Sequence, residues 1–149
     1  MSAKLPLSVL VVVHTVDLEV LLLERAARPG YWQSVTGSLE RPDEPLEAAA
    51  AREVREETGI DAACGSLVRW NVANTFEIYA QWRQRFAPGV TNNTEHVFSL
   101  ALGARLPVTL SIDEHIAFAW LPWREAADKC FSWSNRDAIR MLGERAAII

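Results

Sequence analysis

Leu7 to Val13 is apolar at every position but Ser8, and a second apolar run, Val20 to Leu23, follows a polar break around Asp17. Valine dominates the first run, and β-branched side chains fit the pleated surface of a strand. The pattern predicts strands over Val9–Thr15 and Glu19–Glu24, joined by a short turn as a hairpin. Crossing a bilayer takes roughly 20 apolar residues, so the first run reads as a buried strand. It also lacks the basic start and small-residue cleavage site of a signal peptide. Arg28-Pro29-Gly30 interrupts the pattern, and Trp32–Thr36 reads as a short extended piece ended by Gly37.

The period then changes from two to nearly four. Pro45 suits the first turn of a helix, and Leu46, Ala50 and Val54 recur at i, i+4 and i+8 as an apolar stripe. Gly59 supplies the stop, so a helix is expected over Pro45–Thr58. Beyond it the chain predicts strands at Ser66–Asn71, Thr75–Tyr79, Trp82–Phe86 and His96–Leu102, with a turn at Ala87-Pro88-Gly89. One more strand, Ile116–Leu121, precedes a short helix near Trp123–Cys130 and a terminal helix Asn135–Ile148 capped by Ser134. Strands, a helix, more strands and terminal helices imply one layered α/β domain with a mixed sheet over residues 1–149.

The bulk numbers narrow the partners. Half of the residues are hydrophobic and 23% are charged, as in an ordinary globular chain, and the net charge is −4. Without a basic surplus or basic runs, neither nucleic acid nor an anionic membrane is an expected partner. A small phosphorylated substrate is still compatible, because metal ions supply positive charge locally. Cys64 and Cys130 are far apart and lack CxxC spacing, so reduced thiols in a cytoplasmic protein are expected. The sequence carries no signal for oligomeric state.

One stretch stands apart. Residues 37–60 hold seven acidic side chains. On a helix Glu53, Glu56 and Glu57 share a face, with Arg52 one turn below Glu56. Like charges at i, i+4 repel by a few tenths of a kcal/mol. Two readings follow: a solvated face with arginines interleaved, or a set of hard oxygen ligands for Mg²⁺ shared with substrate phosphates.

The full string resembles the Nudix box: a Gly, then a Glu, then Arg-Glu-aliphatic-X-Glu-Glu-X-Gly-aliphatic. Gly37 opens it, Glu44 follows, and Arg52, Glu53, Val54, Glu56, Glu57, Gly59 and Ile60 complete it without a gap. It departs at one place, where six residues rather than five separate Gly37 from Glu44. The resemblance implies a Nudix-type α/β/α sandwich and hydrolysis of a phosphoanhydride with Mg²⁺, or Mn²⁺ in its place. It implies that Glu53, Glu57 and Glu56 hold the ions, with the Gly37 carbonyl as a further ligand, while Arg52 orients a carboxylate.

Outside the box, "YWQSVTGS" (31–38), "RFAPGVTNNTEH" (85–96), "DEHIAFAWL" (113–121) and "SWSNRDAI" (132–139) are similar to a narrower bacterial group within the family. Its members cleave a pterin substrate, dihydroneopterin triphosphate, to the monophosphate and pyrophosphate in folate synthesis. By that likeness Glu114 is a distal metal ligand or base, and Lys4, Arg25 and Thr36 contact substrate. Ser132, Trp133, Ser134 and Asn135 form the base pocket, Trp133 offering a flat face and Asn135 a donor and an acceptor. His14, His96 and His115 lack metal-ligand spacing and read as structural. Trp32, Trp70, Trp82, Trp120 and Trp123 read as packing residues. Two alternatives stand beside this reading: a broad nucleoside triphosphate pyrophosphohydrolase, and a non-catalytic module of the same fold that binds a phosphorylated ligand.

Overall fold

The computed structural model describes residues 3–148. The first apolar runs form β1 (Leu7–Thr15) and β2 (Glu19–Arg25), which turn at Leu18, whose φ of 61° is left-handed. The two strands meet at His14 and Val20 and then part. Into the gap come β3 (Trp32–Gln33), pairing with β2, and β4 (Val35–Ser38), pairing antiparallel with the first half of β1. Gly37 therefore lies within a strand opposite Val9 rather than ending one.

Helix α1 (Leu46–Thr58) closes with Gly59 at φ 75°, whose N–H donates to the Arg55 carbonyl at 2.9 Å. A left-handed cap of this kind favours glycine. Then β5 (Ser66–Glu77) pairs antiparallel with β6 (Asn92–Leu102), and β6 runs parallel to β1 along its whole length. Strand β7 (His115–Pro122) pairs antiparallel with β2, and helices α2 (Trp123–Lys129) and α3 (Trp133–Ile148) follow. The sheet is mixed, as expected.

The unbroken apolar run of β1 has a simple cause. Val9, Val11 and Val13 pack with Leu21, Leu23, Ala50 and Val54 on the α1 side. Leu10 and Val12 pack with Val20, Leu22, Ala127 and Ile139 on the side of α2 and α3. A strand covered on both faces needs no polar alternation. The result is an α/β/α arrangement of three layers.

Three local expectations change. The strands predicted at Ser66–Asn71 and Thr75–Tyr79 are one strand, kinked where Asn71 takes φ 57° and the register with β6 shifts. Trp82–Phe86 is no strand: Ala80–Arg85 coils as a short 3-10 helix. There Trp82 packs edge-on against Tyr79 and Phe131, and Arg83 Nε donates to the Ile78 carbonyl at 3.0 Å. Ser132, not Ser134, caps α3, its Oγ accepting the Asn135 N–H at 3.2 Å. Cys64 is exposed and Cys130 buried, and both are free.

Candidate active site

The stripe that seats α1 also determines where its glutamates go. With Ala49, Ala50 and Val54 buried, the neighbouring positions Glu53 and Glu57 turn inward toward β4. Glu53 is 8% exposed and Glu57 1%. The backbone of Gly37 lets Glu53 in. A Cβ at position 37 would fall 2.1 Å from the Glu53 carboxyl carbon, so any side chain there would evict it.

Arg52 organises the rim. Its Nε and Nη2 donate to the two oxygens of Glu44 at 2.9 and 3.1 Å, a bidentate pair, while Nη1 donates to Glu53 Oε1 at 2.8 Å. Nη1 also reaches Glu56 at 3.3 Å, and Nη2 the Ser38 carbonyl at 3.2 Å. Glu44 is buried, accepts the Glu40 N–H at 2.9 Å, and is held below the ordinary carboxylate range by Arg52. The extra residue in the preceding loop is thus accommodated, with Glu44 locked to Arg52. Glu56 stays at the surface.

Electrostatically the inner pair is under load. Burial pushes Glu57 well above the ordinary range, reinforced by its hydrogen bond with Glu53 and the charges of Glu53 and Glu114, against the Thr36 amide. Burial raises Glu53 too, opposed by Arg52. Two buried carboxylates side by side cannot both ionise unless a cation or a proton sits between them. Glu57 Oε1 is buried with no hydrogen-bond partner among the described residues. Ligand atoms of Glu57, Glu114 and His115 lie within 4.8 Å of one another, with His115 Nε2 3.8 Å from Glu57 Oε1. An orphaned buried oxygen among further carboxylates fits a divalent cation. His115, expected as a structural histidine, stands in this cluster: β7 starts there, and its ring lies beside Glu57 with burial holding it at about 4, hence neutral.

Next to the carboxylates opens a cavity of about 360 Å³. Lys4, Arg25, Thr36 and Gly37 line one end, and Ser132, Trp133, Ser134 and Asn135 the other. Arg25 is held below its ordinary value by burial and then by Arg85, and its Nε has no partner. Lys4 is lowered likewise by desolvation and the Arg85 and Arg25 cations, and raised by Glu53 and Glu114. Three cations face carboxylates across one opening, which suits a polyanion carrying its own counter-cations.

The far end is walled by rings. Trp133, 47% exposed, stands edge-on to Phe76 at 6.3 Å, while Trp82, under the Arg25 guanidinium at 4.9 Å, stands between the two ends. Trp82 thus lines the cavity rather than filling the core. Asn135 sits here too, but its amide is engaged. Oδ1 accepts the Ser34 N–H at 2.7 Å and Nδ2 donates to Ser132 Oγ at 3.0 Å, so it ties α3 to the β3–β4 link. That differs from the expectation of an amide presented to a ligand edge. Reading the sequence also passes over Arg85, Asn93 and Glu95, all of which line the cavity. The likeness of "RFAPGVTNNTEH" (85–96) covers all three without singling any of them out.

Comparison with known proteins agrees with this arrangement. The NUDIX domain family model matches residues 4–142. Dihydroneopterin triphosphate diphosphatase of Escherichia coli (strain K12) is 44% identical over 147 residues, covering 97% of this chain and 96% of that protein. The Haemophilus influenzae protein of the same name is 38% identical over 136 residues, covering 89% and 84%. The solved structure of the E. coli dihydroneopterin triphosphate pyrophosphohydrolase superposes with a TM-score of 0.88 at 42% identity, covering 95% of this chain and 97% of that one. A Caenorhabditis elegans Ap4A hydrolase shares the fold, with a TM-score of 0.75 at 20% identity, covering 96% and 98%. With its glutamate helix, its three layers and these relatives in agreement, the chain belongs to the Nudix hydrolase family.

Proposed function

We propose that the chain hydrolyses dihydroneopterin triphosphate to dihydroneopterin monophosphate and pyrophosphate, with Mg²⁺ as its ion and Mn²⁺ able to replace it. The observation that carries this reading is the continuity of one cavity, with cations beside the carboxylate cluster at one end and aromatic rings at the other. Those ends are complementary to a triphosphate and a bicyclic base joined in one molecule. The relatives named for this reaction support the choice of base.

Glu53 and Glu57 would hold the ion, with Glu56 and the Gly37 carbonyl beside them. Glu114 closes the set from the loop before β7. When bound, a divalent cation offsets phosphate charge and lowers the pKa of water. The chain's own residues supply the rest. Arg52 keeps Glu53 turned inward. Lys4 and Arg25 bind phosphate oxygens and hold the chain in line. Glu114 is an exposed carboxylate carried on a loop rather than on α1, which suits it to take the proton lost by the attacking water as the phosphoanhydride bond breaks. Trp133 stacks on the base, while Ser132, Ser134 and Asn135 shape the wall behind it.

The family match over residues 4–142 supports one catalytic unit. The cytoplasm is the proposed compartment, supported by two free cysteines. Among the described residues no helix is long and apolar enough to cross a membrane.

The test is pyrophosphate release from dihydroneopterin triphosphate and the common nucleoside triphosphates, with and without Mg²⁺. The pterin substrate should be preferred, and only with the metal. Equal rates on every triphosphate would mark a broad nucleotide hydrolase, and no release from any would leave a binding module.

A further inference from the structure

The floor of the ring-walled end is strand β6. Alternation puts Asn93 and Glu95 on one face, and both are buried, at 7% and 4% exposure. Neither is fully used. Asn93 Nδ2 donates to Ser8 Oγ at 2.8 Å, while its Oδ1 has no partner among the described residues. Glu95 Oε1 has none either. Buried polar atoms are nearly always paired, so two idle acceptors, two residues apart on one cavity floor, require a reason. The Asn135 amide does not pair them: it bonds the Ser34 N–H and Ser132 Oγ instead.

We propose that Glu95, with Asn93 beside it, determines which base the site takes, its carboxylate accepting the two N–H donors of a 2-amino-4-oxo pyrimidine edge. That edge, an exocyclic amino group next to a ring N–H, is common to pterins and guanine. Two parallel donors match the fork of a carboxylate. Adenine fails the match. Beside its amino group stands a ring nitrogen lone pair, which would face a carboxylate oxygen and leave it unpaired. The group is also poised electrostatically: burial pushes the Glu95 carboxyl up to about 7, the Ser134 hydroxyl pulling the other way. Incoming N–H donors favour its ionised form. The inference rests on the proposed pterin triphosphate reading and assigns the residue that recognises the base.

The experiment compares wild type and Glu95→Gln on dihydroneopterin triphosphate, GTP and ATP with Mg²⁺. Glu95→Gln keeps the shape but swaps an acceptor for a donor. Its kcat/KM should fall at least about tenfold more on the pterin substrate and GTP than on ATP, mostly through KM. Glu95→Asp, which retains both acceptors, should recover part of that loss. Equal losses on all three substrates overturn the inference and leave the proposed function standing. A wild type that ignores dihydroneopterin triphosphate but prefers GTP to ATP through Glu95 overturns the functional reading and keeps the recognition. No preference for either over ATP sinks both. A measurement on the wild type alone guards against a variant that does not fold. Neopterin without phosphates should quench tryptophan fluorescence on binding, and adenosine should not; equal binding of the two counts against the proposal.

Discussion

The two ends of the cavity are built in opposite ways. At the carboxylate end, Arg52, Glu53, Glu56 and Glu57 arrive on one helix, and their relative placement follows from 3.6 residues per turn. At the base end, Phe76, Glu95, Phe131 and Trp133 come from β5, β6, a loop and α3. The first end is a local object that needs only a seat, whereas the second exists only once distant strands are in register. Reaction chemistry is therefore concentrated in one segment and base choice is spread along the chain. Changes at the first end should act on turnover of every substrate, and changes at the second on the choice among them.

The largest effect should come from Glu57→Gln. Turnover with Mg²⁺ should drop on the order of a thousandfold for all triphosphates alike. The metal-free variant should nevertheless melt higher than wild type, because it loses a buried carboxyl forced against Glu53. Addition of Mg²⁺ should raise the melting temperature of the wild type and do much less for the variant.

At the base end, Glu95 makes a pH signature. Its folded pKa of about 7 lies above the ordinary 4.5, and burial rather than any charged neighbour is the main cause. The folded state thus holds this proton more tightly, so the contribution to stability is full below 4.5 and is lost as pH rises through 7. Relative to Glu95→Gln, the wild type should lose up to about 3 kcal/mol across that window, read by denaturant unfolding at several pH values. A pH-independent difference between the two proteins would contradict it.

Gly37→Ala returns to the carboxylate end. Its methyl group displaces Glu53, and a misplacement of that size costs about a hundredfold in rate. Pterin and adenine substrates should suffer equally.

The smallest pair separates stacking from support. Trp133→Ala should raise KM for the pterin substrate by about tenfold, the value of one aromatic face on a base. Asn135→Ala should instead lower stability by about 1 to 2 kcal/mol, since the Ser34 N–H loses its acceptor. It should affect all substrates alike. A pterin-selective loss in Asn135→Ala would restore a direct contact between this amide and the base.

Most of the layered architecture could be read along the chain. The apolar runs of β1 and β2 and the Leu46–Ala50–Val54 stripe are short-range patterns, and the elements form where they are expected. The failures share a cause. Trp82–Phe86 has strand composition, but Trp82 is drawn to Tyr79, Phe131 and Arg25, and the segment coils to let it. Ser134 looks like a cap, yet the chain enters α3 two residues earlier and Ser132 takes that place. Both sit beside contacts with residues dozens of positions away, Trp82 with Arg25 and Asn135 with Ser34.

The candidate site divides along the same line. Sequence alone determined the glutamate helix, because helical geometry ties side chains three and four apart to one face whatever surrounds them. It also pointed to Lys4, Arg25 and Trp133, through likeness to a family rather than through any physical rule. That Glu53 rests against Gly37, that His115 stands beside Glu57, and that Asn93 and Glu95 share a cavity floor was decided by tertiary structure. The parallel register of β6 on β1 and the pairing of β7 with β2 bring those residues together, and register is a property of the packed sheet, set by which apolar face each strand must bury.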